Sequence, residues 1–400
     1  MTKYHKIPFT EIATLIRGVS YDKKVASLSA KDGYIPILRA NNIQKDLILN
    51  DLVYVPSDLV KEEQIIREGD IVLAMSSGSK DLVGKSAQAN SDIDAAFGTF
   101  CGLIRAKEGI DSKYLGLYFQ TQEYRNFVSY QSKGVNICNL KKKDIETLQI
   151  PLPPLSTQHA IVSRIESLFA ELDKAVEKLK TAQQQLKIYK QALLNHWLNN
   201  EDGKWETVKL GEVIEVKDGT HDTPKYVQSG IPFVTQKNIT ESGISFSNVQ
   251  YITEQDHLKF HERSNVAQND ILIAMIGANR GNATIVDTDI IFSIKNVGLL
   301  KYTPNVFNNK FLLFYLRSQE SINYIKKQSK GGAQEFIGLK ELRNFPVFLP
   351  SLSEQQRIVQ EIESRLSQAE AAEARIAEAL QKTEALRQSI LKKAFSGELV

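Results

Sequence analysis

The chain contains the same pattern twice. Ser132-Lys133-Gly134 recurs as Ser329-Lys330-Gly331, 197 residues later. At that spacing Pro153 matches Pro350, Leu155-Ser156 matches Leu352-Ser353, Gln158 matches Gln355, and Ile165-Glu166-Ser167 matches Ile362-Glu363-Ser364. The alignment runs without gaps from near residue 114 to near residue 194. Further upstream it fades but persists. Gly33-Tyr34-Ile35-Pro36 through Asn42-Ile43 resembles Gly230-Ile231-Pro232 through Asn238-Ile239, and Asp70-Ile71 through Ala74-Met75 resembles Asp270-Ile271 through Ala274-Met275 at a spacing of 200. The shifts in spacing mark short insertions, which belong in loops. A unit this long is a duplicated module, since solenoid repeats run roughly 20–50 residues. Two copies of one fold predict pseudo-two-fold symmetry. Each copy has a divergent front and a similar back.

The back of each copy reads as a long helix. From Ser156 to Leu198 there is no Gly or Pro, and Ile165, Leu168, Leu172, Ala175, Leu179, Ala182, Leu186, Tyr189 and Leu193 step by three and four, the heptad seam of a coiled coil. Ser156 or Thr157 is the expected N-cap, and Asn199-Asn200 with Gly203 the expected stop. The second copy, Ser353 to Phe395, offers Ile358, Ile362, Ala369, Ile376, Leu380, Leu386 and Ile390, with a capping box at Ser353–Gln356 and Gly397 at its end. Helices of ~40 residues span ~60 Å at ~1.5 Å per residue. Each must bury its stripe, and the natural partner is the other copy, antiparallel.

The fronts read as mixed α/β. YIPILRA, DIVLAM and GLIRA in the first copy, and IPFVTQ, DILIAMIG and GLLKY in the second, are short apolar runs between Gly, Asp, Asn and Ser, as strands are. An aromatic-rich helix follows each set, with Tyr114, Leu117, Tyr118 and Tyr124 on a core-facing stripe. The fold class is therefore α+β: two similar mixed α/β domains, 1–155 and 201–352, each followed by a long helix, 156–200 and 353–400 with its tail.

Composition excludes little else. The 400 residues carry 50 Lys+Arg against 47 Asp+Glu, a net +3 that neither demands nor forbids a nucleic-acid partner. Cys101 and Cys138 are the two cysteines and form no CxxC, which points to a reducing, cytoplasmic setting without a zinc ribbon. No apolar run reaches the ~18–20 residues of a membrane span, and MTKYHKIPFTEI lacks a signal-peptide core.

Enzyme motifs fail when tested. Gly78 to Ser86 resembles a P-loop but has five residues between its glycines, where four are needed, and AQANSDID does not continue as a helix. His257 and His261 read HLKFHE and not HExxH. There is no GxSxG, no GxGxxG after a strand, and no Pro-Pro-aromatic methyltransferase signature. No catalytic, cofactor-binding or metal-binding residue is assigned.

In combination, IPLPPLSTQHAIVSRI, FLPSLSEQQRIVQEI, LRQSILKKAFSGELV, WETVKLGEV…DGTHDTP…SGIPFVTQKNI and YIPILRANNI resemble the type I restriction–modification specificity subunits over essentially the whole chain. The first copy departs from the pattern in lacking the Trp and GTHDTP block. The resemblance implies two target-recognition domains held by an antiparallel coiled coil. Each would read one half of a bipartite double-stranded DNA target across an unread spacer. It also implies docking of two methyltransferase subunits, which bring S-adenosylmethionine, and of restriction/translocase subunits using ATP and Mg, with no cofactor bound by this chain itself. A methylation-only specificity subunit, or a coiled-coil scaffold without DNA specificity, are the alternatives, and a nucleotide hydrolase using Gly78–Ser86 is a third.

Base readout needs Asn, Gln, Arg and Lys on loops. The candidates are Arg39, Asn41 and Asn42 against Gln236, Lys237 and Asn238; Ser76, Ser77, Lys80 and Lys85 against Asn279 and Arg280; and Thr220 and His221 in GTHDTP. Lys133 and Lys330, beside Gly in both copies, suit a phosphate contact needed identically in both halves. The expected coiled-coil interface is Ile165, Leu168, Leu172, Leu179, Leu186 and Leu193 with Ile362, Ile376, Leu380, Leu386 and Ile390.

Overall fold

Residues 2–79, 82–131, 138–200, 202–331 and 335–400 are described by a computed structural model. The chain divides into two compact units, Met1–Leu179 with Glu378–Val400, and Lys180–Ala377. Each unit holds one globular domain and a segment of both long helices.

The duplication is visible strand by strand. In the first domain a four-stranded antiparallel sheet has the order Ala13–Arg17, Cys101–Ala106, Ile71–Ala74, Ser86–Gln88. In the second the order is Val216–Asp218, Val297–Leu300, Ile271–Ala274, Ala283–Ile285. A three-stranded sheet accompanies each. Tyr34–Leu38 lies between antiparallel Val53–Pro56 and parallel Ala96–Phe97, and Ile231–Thr235 lies between Gln250–Ile252 and Ser293–Lys295 in the same senses. A two-stranded clasp closes each domain, Lys6–Pro8 with Gln149–Pro151 and Glu206–Lys209 with Pro346–Leu349.

Two recurring devices explain why particular residues repeat. Gly18 and Gly219 sit where a Cβ would meet the carbonyl oxygen of Gly98 at 2.1 Å or of Ile294 at 2.3 Å, so only glycine lets the strands approach there. Gln158 and Gln355 are buried at the start of the long helices. The Gln158 amide donates to Pro153 O and accepts from Asp111 N; Gln355 donates to Pro350 O and Val306 O and accepts from Asn308 N. One side chain thus ties each helix to the domain before it. Its loss would strand a buried donor and acceptor.

The aromatic segment after each sheet is two helices rather than one. Ser112–Tyr118 is followed by Gln122–Gln131, and Asn309–Arg317 by Gln319–Gln328. The break has a local cause. Thr121 Oγ1 accepts from Tyr124 N and donates to Tyr118 O, and Ser318 Oγ accepts from Ser321 N, so each restarts the helix as a cap. Tyr114, Tyr118 and Tyr124 are buried in the core.

The long helices run Leu155–Leu198 and Leu352–Ser396, 44 and 45 residues. They begin before the expected caps: Ser351 and not Ser353 receives Glu354 N, and Thr157 N donates to Pro154 O. In the first unit Ile161, Val162 and Ile165 pack with Leu391, Ala394 and Phe395, while Asp173 pairs with Arg387. In the second unit Leu194 and Leu198 pack with Ile358, Val359 and Ile362, while Lys190 pairs with Glu373 at 2.6 Å. Both segments are antiparallel. Ile165, Leu193, Ile362 and Ile376 are buried, and Leu168, Leu172, Leu179, Leu186, Leu380 and Ile390 are half-buried.

Leu386 is a correction. It is 50% exposed, and Tyr189 is 42% exposed. The three–four stepping that passes through Ile376 and Leu380 continues to Thr383 and Arg387, so the seam turns polar where the sequence offers an apolar residue one place away. Arg387 lies with its guanidinium 4.6 Å from the centre of the Phe169 ring. Lys190 and Arg387 occupy the same place in the two copies, and each bonds a carboxylate of the opposite helix.

Candidate nucleic-acid interface

Each domain carries a cleft where a strand gives way to a tight turn. Tyr34–Leu38 leads into the 3-10 turn Ala40–Asn42, and Ile231–Thr235 leads into Gln236–Asn238. Asn42 and Asn238 shape these turns and are not available to read bases, which corrects the expectation for both. Asn42 is 1% exposed; its Oδ1 accepts Arg39 N and its Nδ2 donates to Ile48 O and Asn50 O. Asn238 accepts from Thr235 N and Oγ1 and donates to Ser245 O. The same residue fastens the same loop twice, which presents the residues beside it.

In the first domain those neighbours are Arg39 and Asn41. Arg39 Nη2 donates to Asp51 O at 2.8 Å and Asp51 Oδ2 at 3.0 Å, and Asn41 Nδ2 reaches the same carboxylate at 3.4 Å. This ion pair is exposed, so it stabilises by only ~0–1 kcal/mol and yields readily to a phosphate or a base edge. The cleft has a volume of about 730 Å³ and brings Arg39, Asn41 and Ser76 together with Tyr21, Leu28 and Phe100. Cys101 lines it; burial pushes its thiol up to about 12, so it stays neutral.

The second cleft occupies the matching place in the second domain, with about 580 Å³. Gln236 and Lys237 line it with Ser245, Ser247, Gln250 and Lys295. His221 stands at its edge through Asn296, a lining residue: Nδ1 lies 2.6 Å from Asn296 Oδ1, and Nε2 lies 3.0 Å from Asp218 Oδ2. Arg263 donates to the other Asp218 oxygen at 2.7 Å. Asp218 is nearly buried between the two, so it fixes the imidazole on one side and the guanidinium on the other. Thr220 is buried, and its hydroxyl accepts from Asp222 N. It braces the loop and does not face a partner, a second correction. The first copy has the same backbone here with other side chains: Val19 bridges Gly98 as Thr220 bridges Lys295.

A second group lies apart from the clefts. Arg280 is committed, with its side chain 11% exposed and bonded to Glu335 at 2.6 Å and to Gly277 O. Asn279 is exposed beside it. Lys330 is exposed and holds Glu341 at 2.6 Å, which keeps that carboxyl below its ordinary range. Lys330 and the 277–280 loop meet through the segment Glu335–Phe336. In the first domain Ser76, which also lines the first cleft, and Ser77 pair with Asn139 and Cys138, and Lys85 is half-buried in the turn before Ser86–Gln88. That strand, and not a helix, follows the P-loop-like stretch. Lys80 and Lys133 lie outside the described residues.

The cleft residues that the sequence does not single out include Tyr21, Leu28, Phe100, Gln250 and Lys295. Aligning the matched strands would have exposed the last of these, because Gly98-Thr99-Phe100-Cys101 stands against Lys295-Asn296-Val297. Among the described residues no group of three or more His, Cys, Asp or Glu is placed to hold a metal, and no helix is long and apolar enough to cross a membrane.

The family model for the type I restriction modification DNA specificity domain matches residues 1–182 and again 202–382. The chain belongs to that family. The two matches fall on the two copies of the repeat. The EcoKI specificity subunit of Escherichia coli K12 is 30% identical over 98% of this chain and 88% of its own length. The StySPI specificity subunit of Salmonella potsdam is 31% identical over 98% and 88%. Among solved structures, a chain described under complex assembly and conformational transition of the type I R-M system superposes with a TM-score of 0.75 at 20% identity, covering 99% of this chain and 98% of that one. The HsdS subunit of Thermoanaerobacter tengcongensis gives 0.55 at 20% identity over 99% and 97%. These structures share the fold. As a specificity-family member the chain is the non-catalytic, DNA-recognising component of its enzyme.

Proposed function

We propose that each domain reads one half of a bipartite double-stranded DNA target through its cleft, and that the paired helices set the spacer and dock two methyltransferase subunits. One observation carries this reading: the same cleft occurs twice on a matched backbone, with different side chains on its walls. A scaffold used for one purpose would have no reason to keep the turn clamp, Asn42 or Asn238, while changing the three residues before it from Arg39-Ala40-Asn41 to Thr235-Gln236-Lys237. Partner subunits supply S-adenosylmethionine for adenine methylation, and restriction/translocase subunits supply ATP- and Mg-dependent cleavage.

Exchanging residues 1–155 for the corresponding domain of another member tests the division of labour. Mapping methylated adenines in cells expressing the chimaera should show one half-site replaced and the other intact, at unchanged spacing. A change in both half-sites would mean that the domains do not read independently. Inserting one heptad into both long helices tests the ruler, adding ~10 Å at ~1.5 Å per residue. The spacer should lengthen by about three base pairs at ~3.4 Å each, with both half-sites kept. Loss of one half-site with the spacer unchanged would defeat that part of the proposal.

A further inference from the structure

Phe100 is the feature the fold does not explain. It is 67% exposed, on the turn between Ala96–Phe97 and Cys101–Ala106. Its backbone is tied down, since its carbonyl accepts Met75 N at 2.8 Å and Ser76 N at 3.2 Å. The ring is therefore held outward by a rigid turn and not by a mobile loop. Leu28, 85% exposed, lines the same cleft. The second copy crosses this point with one residue fewer. Gly98 and Lys295 make equivalent bridges, and Cys101 and Val297 face Ala74 and Ala274 in equivalent ladders. Thr99 Oγ1 donates to Val19 O at 2.9 Å where Asn296 N donates to Thr220 O at 3.2 Å, so Thr99 matches Asn296 and Phe100 is the extra residue; the second domain has the polar Lys295-Asn296 at that rim.

Resting on the DNA-reading function above, we propose that the first domain recognises a thymine 5-methyl group in the major groove of its half-site, seated against Phe100 and Leu28. The second domain reads its half-site with polar groups. The thymine methyl is the apolar mark on a base edge in the major groove, and an apolar side chain recognises it by exclusion of water. A cleft lined by two exposed apolar side chains together with Arg39 and Asn41 suits such an edge, because the guanidinium and the amide serve the adjoining acceptors. An exposed phenyl ring has a burial energy to gain on binding that Lys295-Asn296, at the matching point of the second cleft, lacks; the exposed aromatic of the second cleft, Tyr226 at 42%, carries a hydroxyl.

The test uses the methyltransferase assembled with this chain and duplexes carrying its mapped target. Half-sites are assigned by the 1–155 exchange. Thymines are replaced by deoxyuridine one at a time, which removes only the methyl group. One first-half-site replacement should weaken binding about fourfold, the equivalent of ~0.8 kcal/mol for a buried methyl. Second-half-site replacements in the duplex should change it by less than about twofold. Phe100→Ala should abolish the thymine preference at that position, and Phe100→Leu should retain most of it. Equal binding of thymine and uracil throughout the first half-site, or a first half-site without thymine, would overturn the proposal. So would a Phe100→Ala loss that is the same for both bases, which would make the ring a wedge between base steps. Failure of the unmodified duplex to bind selectively would instead overturn the DNA-reading function itself.

Discussion

Phe395→Ala should lower the stability of the first unit by about 3–5 kcal/mol, the usual consequence of emptying a large buried aromatic site. Phe395 lies in the last turn of the second long helix, 4% exposed, with its ring 4.9 Å from Tyr114 and 5.4 Å from Tyr118. The residue therefore joins the end of the chain to the core of its first domain. The backbone extends the junction: Thr2 Oγ1 donates to Phe395 O at 2.8 Å, and Lys3 N donates to Ser396 O at 3.0 Å. Tyr114 and Tyr118 belong to a helix that cannot collapse into the space, because Tyr114 OH is bonded to Pro151 O in the closing clasp. For a unit of this size the melting temperature should fall by very roughly 6–20 °C. Differential scanning calorimetry would show the loss in one transition, with the second unit melting as before. A change of less than two degrees would mean that the aromatic contact is not a principal tie between the helix end and the domain.

Much of this molecule was legible because duplication supplies an internal alignment. The strands DIVLAM and DILIAMIG, the long helices and the glutamines at their starts all repeat, and each repetition marks a contact made twice. The limits were equally physical. A heptad read by hydrophobicity selects Leu386, whereas the helix geometry places Arg387 at the seam, where its charge is met by Asp173 and its flat face by Phe169. A loop residue such as Asn42 reads as a candidate for base contact because Asn suits both tasks. Only the distances to Ile48 O and Asn50 O assign it to the loop itself. Phe100 escaped for the opposite reason. An aromatic residue near a strand reads as core, and its exposure depends on a single extra residue in the turn.

The same duplication predicts the effect of breaking a buried ion pair in the second domain. Asp70 and Asp270 open equivalent strands and are 2% and 1% exposed. Asp70 meets Arg105 at 2.6 Å, and Asp270 meets Lys301 at 2.6 Å. Each carboxylate also accepts a backbone N–H, from Arg67 or from Ala267, and Asp270 takes a further one from Tyr302. Lys301→Met removes the cation and leaves the carboxylate in place, which should cost about 3–5 kcal/mol because the remaining charge is buried and uncompensated. The double variant Asp270→Asn/Lys301→Met should recover a substantial part of that loss. A neutral amide carries no buried charge, and its oxygen still accepts one of the two backbone donors. The expected result is therefore strong positive coupling in a double-mutant cycle followed by urea denaturation. A functional consequence follows from position. The strand that Asp270 introduces, Ile271–Ala274, belongs to the four-stranded sheet of the second domain, so partial unfolding of the single variant should weaken recognition of the second half-site first. A cost below about 1 kcal/mol for Lys301→Met alone would show that solvent reaches Asp270, and that the pair orients the strand without bearing on its stability.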